Sequence, residues 1–499
     1  MPEPVPEPDP VPVPAPGSPV PGSPAPGAAG SARLASGTAP GRWVLAAAVL
    51  GSGMAMLDGT VVNIALRSLG DDLGASVQQL QWVVNAYLLA LASLILVGGS
   101  LGDRLGRRRV FMVGVAWFAA ASALCGVAQS PGQLVGARLL QGVGAALLTP
   151  GSLAMIQGSF RPADRGRVIG QWAGLGGIAA AVGPLLGGWI VANASWRWIF
   201  LVNVPVAAVV LVLSARHVPE SRDPDAARAF DVLGAVLGAL GLGGVTYALI
   251  EATAVPPAVV VAAALVGALS LVLFVVFERR HHDALVPMHL FASRTFSVVN
   301  ALTLLVYGAL GAMLFFLVLQ LQVVTGWSPL AAGLATVPLT LVMLALSSRA
   351  GAFAARVGPR LPLTVGPVLC ALGTLLLRGV GAGTGYVTGV LPGVLVFAAG
   401  LVLLVAPLTA SVLAAAPDRY AGTASGINNA VARTGSLLAV SALPAAVGIG
   451  GEDYQRPAVF AAGYAQAELI CAALLLVGAV VSLVGLRPSR VGGEEKLVL

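Results

Sequence analysis

Two ionisable side chains stand inside apolar runs where charge is costly. Asp58 lies in Leu57-Asp58-Gly59-Thr60-Val61-Val62-Asn63, and Arg138 in Arg138-Leu-Leu-Gln141-Gly142. An ionised carboxylate at mid-bilayer costs ~2.5–3.5 kcal/mol on insertion scales, so it must be paired or face water. Counted from the ends of their runs, the two residues differ in depth by only about 3 Å. A carboxylate so placed can take and release a proton; the competing readings are a static ion pair between helices and a packing role. Arg433 is expensive by the same logic and has Asn428 and Asn429 a turn away. It either lines a cavity or snorkels to water along its helix. Asn63, Asn85, Gln141, Gln320 and Gln322 lie at plausible cavity depth, with Trp82, Tyr87 and Phe315 able to stack on flat or cationic ligands. Helix packing is the competing account of each.

Two glycine-bearing motifs accompany them. The loop Gly99-Ser-Leu101-Gly-Asp103-Arg104-Leu-Gly106-Arg107-Arg108 combines a tight turn at Gly106 with a carboxylate and arginines. Those arginines can bridge to carboxylates or carbonyls in one conformation and release them in another, or serve simply as a topogenic basic loop. Gly183-Pro184-Leu-Leu-Gly187-Gly188 removes a backbone hydrogen bond and several side chains at one place, which permits a bend or close helix approach. Cys125, Cys370 and Cys471 are scattered through apolar runs, and no metal-binding pattern joins His217, His281, His282 or His289. No GxxxxGK[ST] loop occurs, so no cofactor is expected and energy must come from an ion gradient.

The elements that position these residues follow from composition. Of 499 residues, 57% are apolar and 10% charged, and mean hydropathy is +0.89. No soluble domain hides that much apolar surface. The pI of about 9.8 does not call for nucleic acid, because the basic residues sit in loops. Apolar runs occur near 42–66, 79–101, 110–129, 132–157, 168–193, 198–215, 231–252, 256–277, 297–321, 330–352, 361–380, 388–411, 424–448 and 463–486. Each is long enough to cross a ~30 Å hydrocarbon slab as a helix. With a cytoplasmic amino terminus, 22 basic residues fall inside and 4 outside (Arg67, Arg197, Arg378 and Arg456). The positive-inside rule therefore places both termini in the cytoplasm.

Domain limits follow: a disordered proline-rich tail over 1–41, six helices over 42–217, two inserted helices over 231–277, six helices over 297–486, and a tail over 487–499. Gly99, Arg104 and Gly106 recur as Gly351, Arg356 and Gly358, a shift of 252; Asp164-Arg165 recurs as Asp418-Arg419, a shift of 254. Two related halves facing a central site are a common transporter plan.

The 99–108 loop resembles the signature loop of the major facilitator superfamily. The segment 57–66 is similar to the first-helix motif of its fourteen-helix drug:proton antiporter branch. Arg138-Leu-Leu-Gln141-Gly142-Val-Gly144 resembles the family's membrane-embedded arginine motif. Gly183, Pro184, Gly187 and Gly188 resemble its antiporter motif, and Trp196-Arg197-Trp198-Ile-Phe200-Leu-Val-Asn203-Val-Pro205 is typical of the same branch. Three positions depart from the pattern: Arg67 replaces a proline, Ala179 a leading glycine, and Ala355 stands where the first copy of the loop has Asp103.

The resemblance implies an all-α integral membrane protein of two six-helix bundles plus two inserted helices. It implies export of small amphipathic drugs or antibiotics by alternating access, with protons and a small-molecule substrate as partners and the lipid bilayer as solvent. A monomer is expected. Neighbouring first and fourth helices would let Asp58 pair with Arg138, and coupling follows if a cationic substrate and a proton compete for that carboxylate. The 99–108 loop would control a gate. Export of an endogenous lipid, siderophore or amino-acid-like metabolite would use the same scaffold. A non-transporting sensor would need a sizeable soluble domain, and the loops here are shorter than about thirty residues.

Overall fold

A computed structural model describes residues 34–222, 231–281, 284–417 and 420–487. The proline-rich stretch to residue 33, Arg228, His282, the Asp418-Arg419 copy and the tail from 488 lie outside them. Apart from one isolated bridge between Leu34 and Phe160, the regular structure described is helical. The helices are α1 (Ala39–Leu73), α2 (Val77–Leu105), α3 (Arg107–Gly126), α4 (Pro131–Ser159) and α5 (Pro162–Asn193). Next come α6 (Trp198–Leu201) and α7 (Asn203–His217), two pieces of one span, then α8 (Val232–Ile250) and α9 (Pro257–Arg280). The rest are α10 (Arg294–Val323), α11 (Pro329–Val357), α12 (Arg360–Leu377), α13 (Leu391–Ala414), α14 (Ala421–Ala446) and α15 (Pro457–Gly485).

Among the described residues, thirteen spans are long and apolar enough to cross a membrane. The fourteenth, α14, has 26 residues, but Asn428, Asn429 and Arg433 lower its hydropathy. Helices begin ahead of the apolar runs because caps and proline start them in polar sequence. Thr38 accepts from Gly41 N at 3.3 Å and starts α1 at Ala39, while Pro162 and Asp164 open α5 six residues before its run. Residues 34–41, assigned by composition to the tail, are structured. Leu34 N donates to Ser159 O at 2.8 Å and Ser36 Oγ to Asp164 Oδ1 at 2.9 Å, so this segment is tied to the α4–α5 connection.

Packing divides the chain into two halves with one pattern. In the first, α1 packs on α5, α4 and α7; α2 on α4; and α3 on α4 and α7. In the second, α10 packs on α14 and α15; α11 on α13; and α12 on α13 and α15. The seams repeat as well, α5 meeting α11 and α14 meeting α2. The inserted pair α8–α9 forms a hairpin whose α8 lies on α2 and α14, beside one seam, with Trp82 Nε1 donating to Glu251 Oε1 at 2.8 Å.

Among the described residues, one end of the molecule carries the arginine-rich connections and the other only Arg67, Arg197, Arg378 and Arg456. At this arginine-poor face the two halves are joined by hydrogen bonds. Val77 N donates to Gly451 O at 2.7 Å, Gln81 Nε2 to Val440 O at 2.8 Å, Asn85 Nδ2 to Ser441 Oγ at 3.0 Å, and Gln322 Nε2 to Ile64 O at 3.0 Å. Arg67 donates to Gln322 O. The bundle is closed at that face.

Candidate functional site

The centre of the first half is a polar network in an apolar shell. Asp58 on α1 and Arg138 on α4 each have side chains 1% exposed, with Arg138 Nη1 and Asp58 Oδ2 2.5 Å apart. Gln141, three residues beyond Arg138 and on the same helix face, donates to Asp58 Oδ1 at 2.9 Å and accepts from Arg138 at 2.7 Å. Both carboxylate oxygens are therefore engaged. Arg138 Nε donates to Val83 O at 3.0 Å, and its guanidinium lies 4.3 Å from the centre of the Tyr87 ring.

The network continues into three further helices. Ser122 of α3 accepts from Gln141 at 3.1 Å and from Asn203 of α7 at 3.0 Å, and donates to Phe200 O at 2.9 Å. A charge pair tolerated here needs this many partners, since each unpaired buried polar atom costs about 1–3 kcal/mol. Gly142 lets α2 and α4 come close enough to deliver Val83 and Tyr87. A Cβ there would lie 2.5 Å from Tyr87 O. Beside Asp58, a void of about 20 Å³ lined by Leu186, Gly187 and Asn203 among others has room for one water.

The structure distributes the remaining residues differently. Gly183 and Gly187 of α5 lie against Thr60 and Val61 of α1, whereas Gly188 meets the Leu330 backbone, and Pro184 O faces Gly333, both on α11. The motif thus lets one helix approach its own half and the opposite half at once. Asn85 joins the seam, Asn63 is half-buried on α1, and Gln320 donates to Val380 O at 2.7 Å inside the second half, so it is not brought to the Asp58 network. Phe315 is buried against Phe316.

Gly99 lies against Pro150 inside α2, which runs on to Leu105, so the expected 99–108 loop is reduced to a turn at Gly106, whose φ of +115° favours glycine. Asp103 pairs with Arg107 at 2.7 Å; Arg104 is engaged as well. Arg107 N donates to Ser221 O at 2.9 Å, and Arg108 reaches Val218 O at 3.1 Å. Glu220 accepts from Arg108 N at 3.1 Å and lies 3.7 and 3.6 Å from the Arg108 and Arg109 guanidiniums. Ser122, Asn203 and Glu220 escaped the sequence reading. Asn203 sits in a segment quoted only for resemblance and Glu220 in the connection after the sixth run, and no spacing connects them to partners about a hundred residues away.

Two bundles closing on a seam, with a buried acid–base pair in one of them, define a polytopic α-helical membrane transporter. The sequence profile of the Major Facilitator Superfamily matches residues 48–440. The puromycin resistance protein of Streptomyces alboniger is 38% identical over 424 residues, 82% of each chain. The tetracenomycin C resistance and export protein of Streptomyces glaucescens is 34% identical over 415 residues, covering 82% of this chain and 76% of that one. A cephamycin export protein of Amycolatopsis lactamdurans is 35% identical over 442 residues, 86% and 89% of the two chains. Among solved structures, a bacterial homologue of the human lysosomal transporter Spinster, inward-facing and unoccupied, has the same fold. Its TM-score is 0.65 at 17% identity, covering 89% of this chain and 96% of that one. The chain belongs to the major facilitator superfamily, and it is a transporter rather than an enzyme.

Proposed function

We propose that this protein exports small amphipathic drugs or antibiotics across a bacterial cytoplasmic membrane by exchange for protons, alternating access between its two halves. The observation that carries the reading is the Asp58–Arg138 pair, 1% exposed and spanning α1 and α4. Protonating Asp58 removes the charge that Arg138 and Gln141 grip, which loosens α1 from α4 and alters the balance between conformations. The 22-to-4 distribution of basic residues assigns the arginine-rich face to the cytoplasm. The conformation described is then closed outside, and Gly188 and Gly333 must separate for release. The exporter names of the relatives support the substrate class.

The test is transport of a panel of amphipathic antibiotics, cationic, neutral and anionic, in proteoliposomes under an imposed pH gradient, wild type beside Asp58→Asn. Wild type accumulates at least one of them against its gradient, whereas Asp58→Asn loses the gradient-driven part and keeps substrate exchange. Undiminished driven flux in Asp58→Asn would remove the pair from coupling.

A further inference from the structure

Two buried acids lie out of a substrate's reach. Asp58 offers it nothing in this conformation, because Arg138 and Gln141 occupy both carboxylate oxygens and the side chain is sealed. Glu468 on α15 is fully buried on a helix that packs on α10 and α12, away from the seams. Arg433 is different. It sits twelve residues into α14, about 18 Å along the helix, too deep for its guanidinium to reach the helix end by snorkelling. It is half-buried, and neither a hydrogen bond nor an ion pair holds its guanidinium among the described residues.

The packing of α14 shows where it points. Gly426 lies against Leu96 of α2, and Ala430 and Leu437 join the apolar cluster of the first half. Arg433 is seven residues from Gly426 and four from Leu437, so it shares their face toward α2. Asn429, one turn away on that face, is exposed. An unpaired cation at this depth is expensive, and here it stands at the seam that opens and closes.

We infer that Arg433 is the recognition site for the anionic group of the exported molecule, so that the preferred substrates are amphipathic organic anions bearing a carboxylate, phenolate or sulfonate. This rests on the export reading above and narrows it, replacing the expectation of a cation competing for Asp58. A planar guanidinium suits a two-oxygen anion in bidentate geometry, and the apolar residues around it suit an apolar body. An anion leaving a negative interior also gains about 2.3 kcal/mol per 100 mV.

The experiment uses purified full-length protein in detergent and two dyes with one xanthene body, anionic fluorescein and cationic rhodamine 123, followed by fluorescence anisotropy. Wild type binds fluorescein more tightly than rhodamine 123. Arg433→Gln weakens fluorescein binding at least tenfold and leaves rhodamine 123 within twofold, while Arg433→Lys recovers part of the loss. Asp58→Asn keeps the preference for fluorescein, so a failure of proton coupling leaves this readout standing. Absent fluorescein binding in folded wild type, a preference for rhodamine 123, or unchanged fluorescein affinity in a monodisperse Arg433→Gln overturns the assignment.

Discussion

Replacing Arg138 with Met keeps most of its volume and deletes its charge, leaving the Asp58 carboxylate 1% exposed with only the Gln141 amide as donor. At 2.5 Å the gross attraction is ~7 kcal/mol for an effective dielectric of about 20. Desolvation of both ions offsets much of it, so the pair as a whole stabilises little. Removing one partner is another matter: an uncompensated buried charge costs about 3–5 kcal/mol. Asp58→Asn in the same molecule removes that orphan charge. The double variant therefore recovers about half of what Arg138→Met loses, with a coupling energy on the order of 2–3 kcal/mol. The assay is the apparent melting temperature of all four proteins in one mild detergent, read as monodisperse protein surviving heating. At roughly 2 °C per kcal/mol, Arg138→Met falls on the order of 6–10 °C and the double variant about half as far. Strict additivity, with the double variant falling by the sum of the single losses, would refute the claim that the two charges form one energetic unit.

Three further outcomes follow from the same geometry. Gly142→Val forces α2 from α4, since even a Cβ would lie 2.5 Å from Tyr87 O; size-exclusion chromatography should show little folded protein, whereas Gly132→Ala, with nothing within 4 Å, behaves as wild type. Removing Gln81, whose amide bonds to Val440 O and Ser441 O, weakens the closed face by about 1 kcal/mol. Val440→Cys, on a residue 2% exposed, should then react with a polar maleimide about fivefold faster when combined with Gln81→Ala. Glu468 is fully buried with neither carboxyl oxygen hydrogen-bonded, so Glu468→Met raises the apparent melting temperature by several degrees, at about 1–3 kcal/mol per unsatisfied group.

The long helices were legible because lipid imposes a length and an apolar composition that strands and loops cannot share. Asp58 and Arg138 were legible for the opposite reason, as charges where charge is costly, and run ends sufficed to match their depths. Gln141 follows from its i+3 spacing to Arg138. Sequence depth gives no azimuth, however. Gln320 lies as deep as a cavity residue, yet its amide bonds to Val380 O and turns into its own half. Ser122 and Asn203 come from other helices, and only the packing of α3 and α7 against α4 and α1 brings them in. Arg67, a departure from the family pattern, finds its account in Gln322 O, a contact formed only when the halves meet.

Equivalent packing in the two halves does not mean equivalent chemistry. At the repeat offset of 252, Asp58 corresponds to Leu310 and Arg138 to Val390, so the second half has no second copy of the pair. At the offset of 254, Arg433 corresponds to Ala179 and Leu437 to Gly183. On α5 that face carries small residues and packs within its own half, Ala179 against Gly53 and Gly183 against Thr60 of α1. On α14 it carries a cation and a branched side chain and turns toward α2 of the other half. The equivalent faces therefore serve different ends, packing within a half on α5 and presenting a charge to the other half on α14. The proposed exchange of a proton in one half for a substrate held between both fits that asymmetry, because a symmetric molecule would offer both ligands the same two sites.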